Sequence, residues 1–285
     1  MSKINVQLVS KDYKNTKALD SVSLTIEKGH IYGLLGNNGA GKTTLFNIIA
    51  DREFPSSGTV SLNGESLHES KDALRNVYLM GADHLLPGSM RICDAIDSLG
   101  FFFKNADKAY AEKLCGLFAI DPKKKLSQLS TGSGTLAKVI LALASGADFI
   151  FLDEPTLGVD ANHRELFYRV LLERFSDTES AFIIATHLID ECAGILEHCF
   201  VLKDGKIIAD EECEELKNSA YLIEGSADDV NGYAEGRDVL SKSTTGTIAS
   251  MYIKGEPENV PETITVSRPS LQQLIISLTG GGSYA

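Results

Sequence analysis

The segment Gly36-Asn37-Asn38-Gly39-Ala40-Gly41-Lys42-Thr43 carries the most specific chemistry in the chain. Successive backbone N–H groups of a Gly-rich loop point inward and wrap phosphate oxygens. A helix that starts at the loop adds the positive end of its dipole. In this pattern Gly36, Gly39 and Gly41 permit the tight path. Lys42 reaches the terminal phosphates of a nucleotide, and Thr43 places a hydroxyl on Mg²⁺. The residues expected to touch the nucleotide are Asn37, Asn38, Gly39, Ala40, Gly41, Lys42, Thr43 and Thr44.

A second constellation lies downstream. Phe149-Ile150-Phe151-Leu152 is an apolar strand that delivers Asp153 and Glu154 at its C-terminal end. An acidic pair after a strand is usually only the start of a loop. Behind a phosphate loop, Asp153 is expected to hold Mg²⁺ and Glu154 to polarise an attacking water. A third candidate is His187, which follows the strand-like run Ala181 to Ala185 and is placed to touch a γ-phosphate. No Asn/Thr-Lys-x-Asp guanine-recognition motif is present, which argues against GTP.

Strands and helices must hold these groups in place. Ile31-Tyr32-Gly33-Leu34-Leu35 has no polar face and reads as a central buried strand feeding the loop. Thr43 to Ala50 then reads as a helix, which completes the context that such a loop requires. Ile4 to Val9 and Val22 to Ile26 alternate as antiparallel strands do, and Thr59 to Leu62 runs into an Asn63-Gly64 turn. Residues from about 67 to 129 become mostly helical. Phe200 to Leu202 and Ile207 to Ala209 form a further strand pair joined by Asp204-Gly205. The acidic run Asp210 to Glu215 reads as a solvated helix start. Past Lys217 the composition shifts toward Gly, Ser and Thr, with short strands and a helix from Ser270 to Leu278, capped by Ser270 and stopped by Gly280-Gly281-Gly282. The expected fold is α/β with a mixed sheet core in residues 1–216, a helical insertion at about 67–129, and a small α+β appendage in 217–285.

Bulk properties narrow the function classes. The chain has 285 residues, 43% of them hydrophobic and 23% charged, as ordinary globular proteins do. A net charge of −12 argues against a broad nucleic-acid face. The five cysteines, Cys93, Cys115, Cys192, Cys199 and Cys213, include no CxxC pair and are expected to be reduced thiols in a cytosolic protein. Met1 to Asp20 has no apolar signal core, and no stretch approaches the ~20 apolar residues of a spanning helix.

The order of motifs resembles the nucleotide-binding subunits of ABC transporters over about residues 1–212. Tyr13 sits where that family places an aromatic ring on adenine. Leu129-Ser130-Thr131-Gly132-Ser133 falls at the family's signature, Asp153 and Glu154 at its Walker B pair, Leu157-Gly158-Val159-Asp160 at its D-loop, and His187 at its switch histidine. The resemblance implies a P-loop NTPase of the ABC type that binds and hydrolyses ATP with Mg²⁺. It implies a cytoplasmic subunit, peripheral on the inner face of the membrane, that powers a separate membrane-spanning partner. It further implies a second ATP-binding subunit, because two such domains sandwich two ATP molecules between one P-loop and the other chain's signature. Ser130 and Gly132 would then meet the partner's γ-phosphate.

Two departures accompany the match. Gly81 occupies the position where the family usually carries a Gln, and Asp83 is the nearest substitute. Thr131 and Ser133 replace Gly and Gln of the signature, while the P-loop, Glu154 and His187 are intact. That asymmetry favours a heterodimer over a homodimer. The loop Gly81 to Met90, with Leu85-Leu86-Pro87, is expected to dock on the membrane partner. The single domain and short appendage resemble bacterial exporters of peptides, antibiotics or lipids. The rival readings are a regulatory subunit that hydrolyses poorly and a non-transport ABC ATPase acting on ribosomes or DNA.

Overall fold

A computed structural model describes residues 2–81 and 86–280. The core is a sheet of order β10-β9-β3-β8-β7-β6, built from β3 (Ile31–Leu35), β6 (Val77–Met80), β7 (Phe149–Asp153), β8 (Ala181–Ala185), β9 (His198–Lys203) and β10 (Lys206–Glu212). All neighbours are parallel except β10, which returns antiparallel from β9. Every residue of β3, β7 and β8 is buried, as strands covered on both faces must be. Side chains alternate between those faces. Ile150 and Leu152 point into one apolar cluster, Phe149 and Phe151 into another.

An antiparallel sheet packs on the second face, of order β2-β1-β4-β5: β1 (Lys3–Tyr13), β2 (Thr16–Glu27), β4 (Ser57–Leu62) and β5 (Glu65–Ser66). Helix α1 (Lys42–Ile49) shares this layer, with Phe46 edge-on to Phe151 at 5.1 Å. On the first face lie α3 (Ile92–Phe102), α4 (Lys108–Leu117), α5 (Thr131–Ala144) and α6 (Ala161–Thr178). The stretch 67–129 thus holds α2 (Lys71–Leu74), α3 and α4, and also gives β6 to the core sheet.

A third sheet, of order β12-β13-β11-β14, comprises β11 (Ala220–Ser226), β12 (Val239–Thr245), β13 (Ile248–Lys254) and β14 (Thr265–Ser267). With α9 (Ala227–Ala234) it encloses its own small cluster around Tyr221, Ile223, Val230 and Met251. Strand β12 and helix α9 are not read from the sequence, since Val239–Thr245 is mostly exposed and polar and offers no alternation. The last helix, α10 (Leu271–Thr279), starts at a Ser270–Gln273 capping box and ends at Gly280. It bridges this appendage and the core, with Ser241 Oγ of β12 donating to Ser277 Oγ at 3.0 Å. Leu271, Leu274 and Ile275 pack into the main cluster beside α7 (Ile189–Cys192) and α8 (Cys213–Asn218).

Two expectations are corrected: Asp210 to Glu212 complete strand β10, so the helix starts only at Cys213, and the cysteines are not all reduced thiols. Cys199 and Cys213 form a disulfide with Cα atoms 5.6 Å apart, leaving Cys93, Cys115 and Cys192 free. The β9–β10 hairpin brings Glu211 opposite Cys199, so Cys213 lands beside its partner despite a separation of 14 residues. Linear spacing conceals a pair that hairpin register creates. Among the described residues, no helix is long and apolar enough to cross a membrane. Asp83 and Leu85 lie outside the described residues.

Candidate nucleotide site

Parallel pairing places the C-terminal ends of β3, β6, β7 and β8 along one edge, the position where α/β sheets bind ligands. Asp153 pairs with Ala185 and Met80 with Leu152, so the P-loop, Gly81, the Asp153-Glu154 pair and Thr186-His187 share that edge. Gly41 sits at φ 110°, and a Cβ there would stand 2.5 Å from Ala18 O, so the tight entry into α1 admits only glycine.

Lys42 is 7% exposed. Its Nζ donates to Gly36 O (2.7 Å) and Asn37 O (3.0 Å), so the ammonium lies folded against the loop that would surround a phosphate. Burial lowers its pKa, and the carboxylates of Glu154 and Asp153 oppose that shift. Thr43 Oγ1 donates to Asp153 Oδ2 at 2.7 Å. Asp153 is 5% exposed, and burial raises its pKa against the Thr43 hydrogen bond. Asn37, Asn38 and Gly39 are exposed at the loop's crest, Ala40 is buried beneath it, and Thr44 continues into α1. Asn37 Oδ1 accepts a bond from Thr279 Oγ1 at 3.2 Å, which ties α10 to the loop.

Glu154 takes the left-handed backbone conformation (φ 50°), a strained state for a residue with a side chain. Its N–H is held by Ala185 O at 2.8 Å. Its Oε2 meets His187 Nδ1 at 2.9 Å and accepts from Thr186 Oγ1 at 3.2 Å. The two candidate catalytic groups are therefore bonded to each other. Thr186, buried beside them, joins the pair through its hydrogen bond to Glu154.

Tyr13 stands 41% exposed at the tip of the β1–β2 hairpin, with the Thr44 hydroxyl near its phenol. Ser130 caps α5, accepting from Ser133 N at 3.3 Å. Gly132 is required by close packing, because a Cβ there would stand 2.4 Å from Gly158 O. Thr135 Oγ1 donates to Leu157 O at 2.9 Å, so signature and D-loop segments form one unit. A cleft of ≈ 320 Å³ runs from Thr43, Asp153 and Glu154 to Ser130 and Thr131.

At Gly81, two cations grip the main chain where a side chain is missing. Lys138 Nζ donates to Gly81 O at 3.2 Å and Arg52 Nη2 to Leu79 O at 2.7 Å. Nothing in the local sequence of either residue signals that contact.

The donor set fits a nucleotide with Mg²⁺. A magnesium ion shared with phosphate needs only one or two protein oxygens, which Thr43 and Asp153 offer. No cluster of three or more metal-binding side chains occurs among the described residues.

Comparison with known proteins agrees with this chemistry. Residues 19–157 match the family model described as ABC transporter. The chain is 26% identical to the ABC transporter ATP-binding protein YtrB of Bacillus subtilis (strain 168), covering 98% of each. It is 24% identical to the bacitracin transport ATP-binding protein BcrA of Bacillus licheniformis, covering 96% of each. It is 30% identical to the arabinose import ATP-binding protein AraG of Paraburkholderia xenovorans (strain LB400), covering 70% of this chain but 41% of that protein. The dimeric structure of MJ0796, a bacterial ABC transporter cassette, superposes with a TM-score of 0.65 at 23% identity over 74% of this chain and 98% of that one, which speaks for the fold alone. This chain carries an ABC transporter ATP-binding domain, an ATP-hydrolysing unit, and is homologous to bacterial ABC ATP-binding subunits.

Proposed function

We propose that this chain hydrolyses ATP to power a separate membrane-spanning subunit, in the direction of export. The observation that carries the reading is the linked set Thr43–Asp153 and Glu154–His187 at one sheet edge beside buried Lys42. Lys42 would turn from the loop carbonyls to the terminal phosphates. Thr43 and Asp153 would hold Mg²⁺, which supplies charge neutralisation on the phosphate oxygens. Glu154 would orient the attacking water once His187 turns toward the γ-phosphate. The signature segment of a second ATP-binding chain would complete the site, and Ser130 and Gly132 of this chain would serve that partner's nucleotide.

An apolar groove supports the membrane partner. A cleft of ≈ 400 Å³ between β6 and α3 is lined by Tyr78, Met80, Leu86, Leu99 and Phe103. Phe101 and Phe102 stand beside it at 80% and 63% exposure, an unusual display of apolar surface. Export rests on the end-to-end match with the bacitracin transport protein, which includes the appendage, whereas the arabinose import protein is matched over less than half its length. Location on the inner face of the membrane follows from this reading. A regulatory subunit with weak hydrolysis is the second reading, favoured by Gly81 and by Thr131 and Ser133 in the signature.

Fractionation of source cells tests the proposal. The chain should sediment with membranes, and its ATP turnover should rise when a membrane-spanning subunit is co-expressed. Sedimentation with ribosomes and turnover indifferent to any membrane subunit would overturn it.

A further inference from the structure

Tyr13 is held far more firmly than a hairpin-tip aromatic needs to be. Its hydroxyl donates to Glu53 Oε2 at 2.5 Å. Lys11 Nζ lies 5.1 Å from its ring centroid, within the range of a cation–π contact. The same ammonium pairs with Glu53 Oε1 at 3.2 Å and donates to Phe54 O at 2.6 Å. Lys11, Tyr13 and Glu53 thus form a closed triangle, joined at each corner.

The triangle is also anchored to the phosphate loop's helix. Glu53 belongs to the short segment that leaves α1. That segment is stitched to β1 by Ser56 N to Ser10 O (2.8 Å) and Asp12 N to Ser56 Oγ (3.0 Å). Arg52, the preceding residue, is fixed to Leu79 O. The Tyr13 ring therefore has a set distance and tilt relative to Lys42 and Thr43, before any nucleotide arrives.

We infer that Lys11 and Glu53 are positioning residues for the nucleotide base: they lock the Tyr13 ring as a stacking platform, with Lys11 backing one face and the base received on the other. The inference rests on the reading of Tyr13 as the adenine-stacking ring. A free tyrosine would lose its rotamer freedom when the base stacks, and that loss would weaken binding. Here the hydrogen bond and the ion pair impose the orientation beforehand. The chemistry predicts an effect on ligands that have a base and none on the phosphates alone.

Two ligands and a small set of variants of the full-length chain test this by calorimetric titration: ADP, and inorganic tripolyphosphate, which lacks the base. Glu53→Ala and Tyr13→Phe should each weaken ADP by about three- to tenfold, the range set by freeing one immobilised side chain. Because Glu53→Ala already removes the bond that Tyr13→Phe removes, the double variant should be no weaker than Glu53→Ala alone. Lys11→Met should weaken ADP and Lys11→Arg should restore it. Tyr13→Ala should cost about tenfold or more through lost stacking. Tripolyphosphate should bind all variants within about twofold of the parent, a readout that general destabilisation would not spare. Unchanged ADP affinity in Tyr13→Ala would remove the platform itself. Weakening by Tyr13→Ala with none from Glu53→Ala and Tyr13→Phe would leave the platform standing and overturn the clamp. Equal losses for ADP and tripolyphosphate would also overturn it.

Discussion

Lys42 and Asp153 are buried and bonded, one to the carbonyls of its own loop, the other to Thr43. Ser130 and Thr131, by contrast, stand exposed at the start of α5, with Ser130 capping its own first turn. The P-loop half of the machinery has already borne the desolvation of its charges within one chain. The signature half shows a neutral hydroxyl and a helix N-terminus to solvent, which suits a phosphate delivered from outside. Under the proposed function, the first region would receive this chain's own nucleotide and the second would meet a nucleotide held by a partner.

Removing the displayed hydroxyl should separate the halves most sharply. Ser130→Ala should lower ATP turnover of the assembled dimer by about 10- to 100-fold, the worth of one hydrogen bond to a charged group. Nucleotide affinity of the isolated chain should stay unchanged by titration. Equal loss of affinity would erase the contrast.

The buried half should show its character in its pH dependence. Burial raises the Asp153 pKa, so the folded chain holds that proton more tightly than the unfolded chain does. Stability then falls as pH rises from the ordinary 3.8 through the raised value, and stays constant above it. Asp153→Asn should therefore raise the melting temperature of the nucleotide-free chain at neutral pH. Metal binding needs the carboxylate, so Mg²⁺-dependent ATP affinity should fall by about tenfold per pH unit below the raised pKa. Asp153→Asn should flatten that profile. A profile that Asp153→Asn leaves unaltered would assign the titration to another group.

A smaller effect should come from the seam between signature and D-loop. Gly132→Ala forces a Cβ toward Gly158 O, an overpacking worth about 1–3 kcal/mol. Its melting temperature should drop by several degrees, with P-loop affinity intact.

Legibility in the sequence follows the same divide between local and distant contacts. Gly36 to Thr43 and Phe149 to Glu154 are readable because neighbours along the chain dictate them: an all-apolar strand, a glycine-rich turn, a carboxylate pair. Tyr13 and His187 are readable through the order of motifs rather than through their own surroundings. What stays hidden is built by residues far apart in sequence. Lys138 reaches the Gly81 region from α5 and Arg52 from the segment that leaves α1, and Thr279 reaches Asn37 from the far end of the chain. The Cys199–Cys213 bridge depends on hairpin register, which cysteine spacing does not encode. The helix at Ser270 is legible from its cap, yet its place against the core is not, because an apolar stripe does not say which surface it will cover.

Glu154 is central to the proposed function, since it follows Asp153 in the chain, is bonded to His187 and would orient the attacking water. The most direct test is ATP turnover by Glu154→Gln against wild type, with the membrane-spanning subunit present. Turnover should fall by about 100-fold or more with ATP binding retained. Equal turnover by the two proteins would contradict the proposed function.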